Sequence, residues 1–177
     1  MVHIRPMTIS DMQSVKECNR RNLPENYHYI FFMYVIISAQ GGCFVAENSA
    51  KEVIGYVIAK PQDSLEGKEP PFGEYCGYIT SIAVDQAYRG RGLGKTLLSV
   101  AIHGLCRVIG ERKEATSVLM CLNVRESNNR AIEMYKNSFG FMVKQTEPEY
   151  YPDKEASLFM TRVFSLHGDA GPRVTTQ

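Results

Sequence analysis

No two of the five cysteines in this 177-residue chain stand close together: they fall at 18, 43, 76, 106 and 121, odd in number and without a C-x-x-C spacing. That excludes a disulfide framework or a zinc site as the organising feature, and the thiols read as reduced, mostly core-filling groups of a cytosolic protein. The four histidines (His3, His28, His103 and His167) are scattered too, so no metal is expected. Charge of one sign is not in excess, with 20 Lys and Arg against 19 Asp and Glu. A sequence-independent nucleic-acid binder needs a strongly basic face, so no nucleic-acid partner is expected. No apolar run approaches a membrane span, and Met1-Val2-His3-Ile4-Arg5 lacks the charged-then-apolar layout of a signal peptide. No membrane partner and a cytoplasmic location are the corresponding expectations. Internal repeats and low-complexity tracts are absent as well.

What is present suits one domain with a sizeable core and is too short for two. Val2 to Arg5 reads as a strand, and Thr8 with Asp11 three residues on is a capping-box-like helix start with Met12, Val15 and Cys18 as its buried stripe. Tyr27 to Ile37 is apolar almost all round, which predicts a largely buried helix. Cys43 to Glu47 and Val53 to Lys60 read as a hairpin, and residues 61–74, with three prolines, two glycines and five charges, as a surface loop. Tyr75 to Val84 is the next strand; from Leu93 the sequence Leu93, Leu97, Ala101, Leu105 gives a helix with one face on a core. Residues 117–125 alternate as a strand, Asn128 to Asn137 form a short helix ending near Gly140, and Phe141 to Glu147 and Ala156 to Phe164 are the last strands. The order β-α-α-β-β-β-α-β-α-β-β is that of an α+β domain with a mixed sheet, spanning 1–164. Residues 165–177 are Gly-, Pro- and polar-rich without periodicity and read as a disordered tail.

The sharpest signal is Arg89-Gly90-Arg91-Gly92-Leu93-Gly94-Lys95-Thr96, between a strand and an amphipathic helix. Three glycines let several backbone N–H groups turn inward together at a helix N-terminus, where the partial positive charge favours an anion. Arg89, Arg91 and Lys95 add full charges. The spacing fits neither the Walker A loop nor G-x-G-x-x-G. It fits Arg-x-x-Gly-x-Gly, and here the chain resembles the GNAT N-acetyltransferase superfamily. Leu23-Pro24-Glu25-Asn26-Tyr27, Tyr78-Ile79-Thr80-Ser81-Ile82-Ala83-Val84, Val124-Arg125-Glu126-Ser127-Asn128 with Ala131 and Tyr135, and Pro148-Glu149-Tyr150-Tyr151 extend the resemblance over about residues 2–164. Together they resemble the catalytic subunits of N-terminal acetyltransferases of the archaeal and eukaryotic NatA-like kind.

The resemblance implies the GNAT fold, a mixed, mostly antiparallel sheet with a central splay between two parallel strands and helices on its flanks. It implies acetyl-CoA as co-substrate, the N-termini of proteins or peptides as acceptors, and an auxiliary, ribosome-anchoring subunit as a partner of some members. The cofactor's phosphates would lie on 89–96 and its arm beside Ile82, Ala83 and Val84. Asn128 would either bond the arm's amides or cap the helix that follows it, or both. Tyr135 would protonate the departing thiolate, the plainer alternative being a core tyrosine. Glu25 would handle the α-amine, with Leu23, Pro24 and Tyr27 shaping a pocket for the first side chain. Tyr78, Asn123, Arg125, Tyr150 and Tyr151 would line the same groove.

One position departs from the family's pattern. Relatives commonly carry His or Glu where this chain has Asn123, and an asparagine is no base at neutral pH. Glu25, through a water, is the remaining candidate for proton removal, with Tyr78 assisting. Two rival readings stay open at this level: a ribosomal-protein N-terminal alanine acetyltransferase, and a catalytically weak acetyl-CoA-binding subunit or scaffold.

Overall fold

The computed structural model describes residues 1–39, 41–62, 75–113 and 115–166. Its elements are β1 (His3–Pro6), α1 (Met12–Asn22), α2 (Tyr29–Ser38), β2 (Cys43–Glu47), β3 (Val53–Gln62), β4 (Tyr75–Val84), α3 (Leu93–Lys113), β5 (Ser117–Arg125), α4 (Asn129–Glu133), β6 (Met142–Glu147) and β7 (Ser157–Ser165). Pro61 and Gln62 thus extend β3, while the rest of the expected loop, 63–74, lies outside the described residues. Likewise β7 runs through Ser165 and the Leu166 N–H donates to Thr116 O, whereas 167–177 lie outside the description.

All seven strands form one sheet in the order β1-β2-β3-β4-β5-β7-β6. Only β4 and β5 run parallel; every other neighbour is antiparallel. Parallel strands need a crossover, and α3 supplies it. Its Leu97, Leu98, Ala101 and Leu105 are fully buried against one face of the sheet, with Val57, Met120 and Leu122 opposite. Among the described helices α3 alone has the length and apolarity of a membrane span, over Leu93–Glu111, a stretch that Lys95 and Arg107 interrupt. Its burial in the core accounts for that composition. On the opposite face α1 and α2 pack Val15, Cys18, Phe32 and Val35 onto Val45, Tyr56 and Ile58. Arg5 ties β1 to this corner, donating to Asp11 at 2.6 and 2.7 Å and to Glu47 at 2.5 and 3.0 Å. Asp11 also accepts from Thr8 N at 2.7 Å, as the capping spacing predicts.

The second helix departs from its prediction. Within α2 only Phe32 and Val35 are buried, while Ile30 is 79%, Tyr34 60% and Ile37 63% exposed. Its apolarity goes all round because the helix carries an outward apolar face, not because the fold encloses it.

The cysteines behave as expected. All but Cys106 are buried, filling the core. Burial pushes the Cys18 and Cys43 thiols up to about 12 and Cys106 to about 11.

Two features open the middle of the sheet. The β3–β4 register skips Thr80, pairing Ile58 with Ser81 and Ala59 with Ile79, so Thr80 is a bulge. The β4–β5 pairing ends at Ile79 and Leu122, although β4 continues to Val84 and β5 to Arg125. Beyond that point the parallel strands splay, where the resemblance implies.

Candidate active site

The splay opens into a cleft of about 570 Å³ whose walls are the end of β4, the glycine turn, the end of α1 and the segment 128–138. Of the residues expected at a cofactor, Ile82, Ala83, Val84, Arg89, Gly90, Gly92, Leu93, Gly94, Lys95, Asn128 and Tyr135 all line it, and Leu23 joins them from the substrate group. Gly90 and Gly92 have φ of +80° and +79°, values that side chains resist. A Cβ on Gly92 would meet no atom within 4 Å, so this backbone borders open space. A curled backbone, its N–H groups at the start of a 21-residue helix, and Lys95 beside it form a cradle that fits a phosphorylated ligand.

Three members of the turn also make contacts within the fold. Arg89 donates from Nε to Val84 O and from Nη2 to Asn22 Oδ1, both at 2.8 Å, so it fastens the turn to the end of α1. Asn22 in turn donates to Asp85 Oδ1 at 2.5 Å. Arg91 lies over the Tyr88 ring, 5.8 Å from its centroid, and Thr96 bonds back to Gly92 O at 3.3 Å. The cation that pattern reading missed is Arg130, which lines the cleft with its Nη2 facing Gly90. Its place two residues after Asn128, in the first turn of α4, is the signal that would have found it.

Asn128 caps α4 by accepting from Ala131 N at 3.2 Å, and it also lines the cleft. Tyr135 lies in a π-helical segment, Met134–Ser138, packs edge-on to Phe141 at 6.0 Å and is 5% exposed. Burial raises its phenol well above the ordinary value, so it keeps its proton at neutral pH. It is both a core ring and part of the cleft wall.

The remaining candidates gather on the sheet face opposite α3. Along β5, Val118, Met120, Leu122 and Val124 belong to the core beneath α3, which sends the alternate Asn123 and Arg125 to the other side. Arg125 is the hub. It donates from Nε and Nη2 to Glu25 Oε1 at 2.9 and 2.6 Å, and from Nη1 to Asp153 at 2.8 Å and Glu155 at 2.5 Å. Its guanidinium lies 4.1 Å from the centroid of the Tyr151 ring. The Tyr151 phenol is pushed up to about 12, chiefly by burial. Tyr150 and Tyr151 pack edge to face with centroids 5.0 Å apart. Tyr27 stacks on Phe31 at 4.4 Å and its hydroxyl donates to Thr80 O at 3.4 Å, at the bulge. Pro24 O accepts from Asn26, holding the α1–α2 turn.

Tyr78 and Asn123 meet where the splay begins, with Tyr78 Oη donating to Asn123 Oδ1 at 2.6 Å. Burial raises the Tyr78 pKa well above the ordinary range. A phenol that holds its proton so firmly is not itself a base at neutral pH. Glu25 does not stand as a solvated carboxylate either, since both bonds from Arg125 fall on its Oε1. Among the described residues no group of three or more His, Cys, Asp or Glu has the arrangement of a metal site.

Residues 10–141 match the model of the acetyltransferase (GNAT) family. The catalytic subunit ard1 of the N-terminal acetyltransferase A complex from Schizosaccharomyces pombe is 37% identical over 162 residues, covering 92% of this chain and 85% of its own. An N-alpha-acetyltransferase from Sulfurisphaera tokodaii is 32% identical over 158 residues, 89% of this chain and 90% of that one. Among solved structures, a chain of the NatC complex bound to Gag peptide and CoA aligns with a TM-score of 0.75 at 20% identity, over 93% of this chain and 98% of that chain. At that identity the likeness is one of fold.

Proposed function

The chain belongs to the acetyltransferase (GNAT) family, and from that premise we propose that it transfers the acetyl group of acetyl-CoA to the α-amino group at the N-terminus of other polypeptides. The observation that carries this reading is the placement of two different surfaces on one gap. An open glycine cradle lies on the α3 side of the β4–β5 splay, and the network of half-buried Arg125 that holds Glu25 lies on the opposite face.

Acetyl-CoA supplies the activated acetyl thioester. The chain's residues divide the remaining work. Gly90, Gly92 and Gly94, with Lys95 and Arg130, hold the phosphates; the backbone of Ile82 to Val84 and Asn128 hold the arm. Tyr135 carries a proton for the departing thiol. Glu25, whose Oε2 is left over by Arg125, accepts a hydrogen bond from the α-amine or takes its proton through a water. Only a modest base is required, because an α-amine has a pKa of about 7.7–8.0 against about 10.4 for lysine. Leu23, Pro24, Tyr27, Tyr150 and Tyr151 shape the space for the first residues of the peptide. Catalysis is direct attack with both substrates bound at once.

In this reading the catalytic domain includes Ser165 and Leu166 at its end, and the protein works in the cytoplasm. The exposed apolar face of α2, with Ile30, Tyr34 and Ile37, is where an auxiliary, ribosome-anchoring subunit would sit. A relative named as the catalytic subunit of an acetyltransferase complex supports the presence of such a partner.

The test is incubation with acetyl-CoA and short peptides that differ in their first two residues, including one with a blocked N-terminus and an internal lysine. Acetylation of free Ser-, Ala- or Thr-starting peptides, located by mass spectrometry, is the expected result. Transfer to the internal lysine alone would overturn the reading.

A further inference from the structure

Asn123 is the junction of a polar network whose hydrogen-bond directions can be worked out from chemistry alone. Its Nδ2 donates to Glu147 Oε2 at 2.5 Å and to Ser157 Oγ at 2.8 Å, and its Oδ1 accepts from Tyr78 Oη at 2.6 Å. An ionised carboxylate only accepts, so the amide nitrogen must face Glu147. The amide oxygen then faces Tyr78, and Tyr78 has one proton, which it spends on Asn123. Burial keeps that proton in place. Toward any other group Tyr78 Oη therefore acts as an acceptor. Tyr150, in the loop between β6 and β7, is hydrogen-bonded to the same side chain.

A neutral α-amine has two N–H donors and one lone pair. Giving one N–H to a fixed acceptor anchors the amine and turns its lone pair toward the opposite side, a contact kept alike in the bound complex and during attack, so its loss shows in peptide affinity and KM. We propose that Asn123 is a positioning residue that fixes Tyr78 Oη as the hydrogen-bond acceptor for the substrate amine, with Glu147 setting the direction of the amide. The charged groups nearby fit this role. Glu147 is engaged by the amide, and Arg125, two residues along β5, is engaged by Glu25, Asp153 and Glu155. Tyr151 is hydrogen-bonded to the buried Ser157. The junction orients its neighbours and moves no proton. Asn123 is then a working part of the site and not the scar of a lost base.

The proposal rests on N-terminal acetylation as the activity. It is tested with Tyr78→Phe, Asn123→Ala, their double variant and Glu147→Gln, on the best peptide of the panel. The readouts are peptide KM, kcat, peptide Kd by calorimetry and acetyl-CoA affinity. Tyr78→Phe and Asn123→Ala are each expected to raise peptide KM and Kd about three- to tenfold, the worth of one neutral hydrogen bond, with kcat and acetyl-CoA affinity within about twofold. The double variant should be no worse than the weaker single one, since both remove the same contact. Glu147→Gln keeps the shape but lets the amide turn over, and should raise peptide KM about two- to threefold. Additive losses, or a fall in kcat at constant KM, would overturn the proposal. Unmoved peptide KM in variants of an active wild type would refute this pairing alone. A wild type silent on every peptide would refute the acetylation reading, and the role of the pair with it.

Discussion

Arg125 gives two hydrogen bonds, at 2.9 and 2.6 Å, to a single carboxylate oxygen of Glu25, a hundred residues earlier in the chain. The same guanidinium holds Asp153 and Glu155 in the loop before β7. One side chain therefore sets both the turn between the first two helices and the tyrosine-bearing lip.

Arg125→Ala should lower kcat/KM by about 10²-fold, the cost of a small misplacement of reacting groups, because three carboxylates lose their common cation. Glu25→Gln should also abolish most turnover, but with the lip intact. Arg125→Lys will not rescue, since an ammonium cannot replace the planar fork. Steady-state kinetics on one peptide, with acetyl-CoA affinity as the control, checks all three.

Gly92→Ala places a side chain at a φ of +79° on open cleft backbone. The strain is about 1–2 kcal/mol, and the cradle is distorted where phosphates would lie. Acetyl-CoA affinity should fall at least tenfold while peptide Kd is little changed. Arg130→Ala should weaken the same affinity by less, with a smaller dependence on salt than the wild type shows. Calorimetric titration at two ionic strengths separates the two effects.

Tyr135→Phe removes one hydroxyl and keeps the ring on Phe141. If Tyr135 is the proton donor, kcat drops about 10²-fold, the lower range for general acid catalysis, with acetyl-CoA affinity and melting temperature close to wild type. An unchanged kcat would return Tyr135 to a packing role.

Acid stability should depend on the β1 corner. The hydrogen bonds from Arg5 hold the carboxyls of Asp11 and Glu47 below their ordinary values. Carboxylates with depressed folded-state pKa values bind fewer protons folded than unfolded near pH 4, so they stabilise fully at neutral pH. That contribution is lost as pH falls below about 4, through the folded-state values. Asp11→Asn should unfold more easily in urea at pH 7, and its stability should decline less steeply between pH 5 and pH 3.

The element order was legible because each strand and helix carries its own period: β4 falls at 75–84 and β5 at 117–125, as the alternation implies. The glycine turn was legible for a similar reason, since backbone curling needs glycine in a row of short spacings. What could not be read was pairing at a distance. Nothing in Arg89 says that its partners are Val84 O and Asn22, 67 residues away, rather than a phosphate. The exposure of α2 was hidden because its composition is apolar on every face, so no period marks the side that lacks a neighbour. The π-helical stretch around Tyr135 leaves no sequence signature either.

The sequestered cysteines have a practical consequence. With Cys18 and Cys43 raised to about 12, Cys106 to about 11, and Cys76 and Cys121 at 2% and 0% exposure, the enzyme's own sulfur is nearly inert to electrophiles at neutral pH. A dye that reacts with thiolates will thus register the coenzyme's freed thiol, whose ordinary pKa is near 8.5, against a quiet protein background. Each turnover can be followed continuously by colour, and a sudden rise of signal without acetyl-CoA would report unfolding instead.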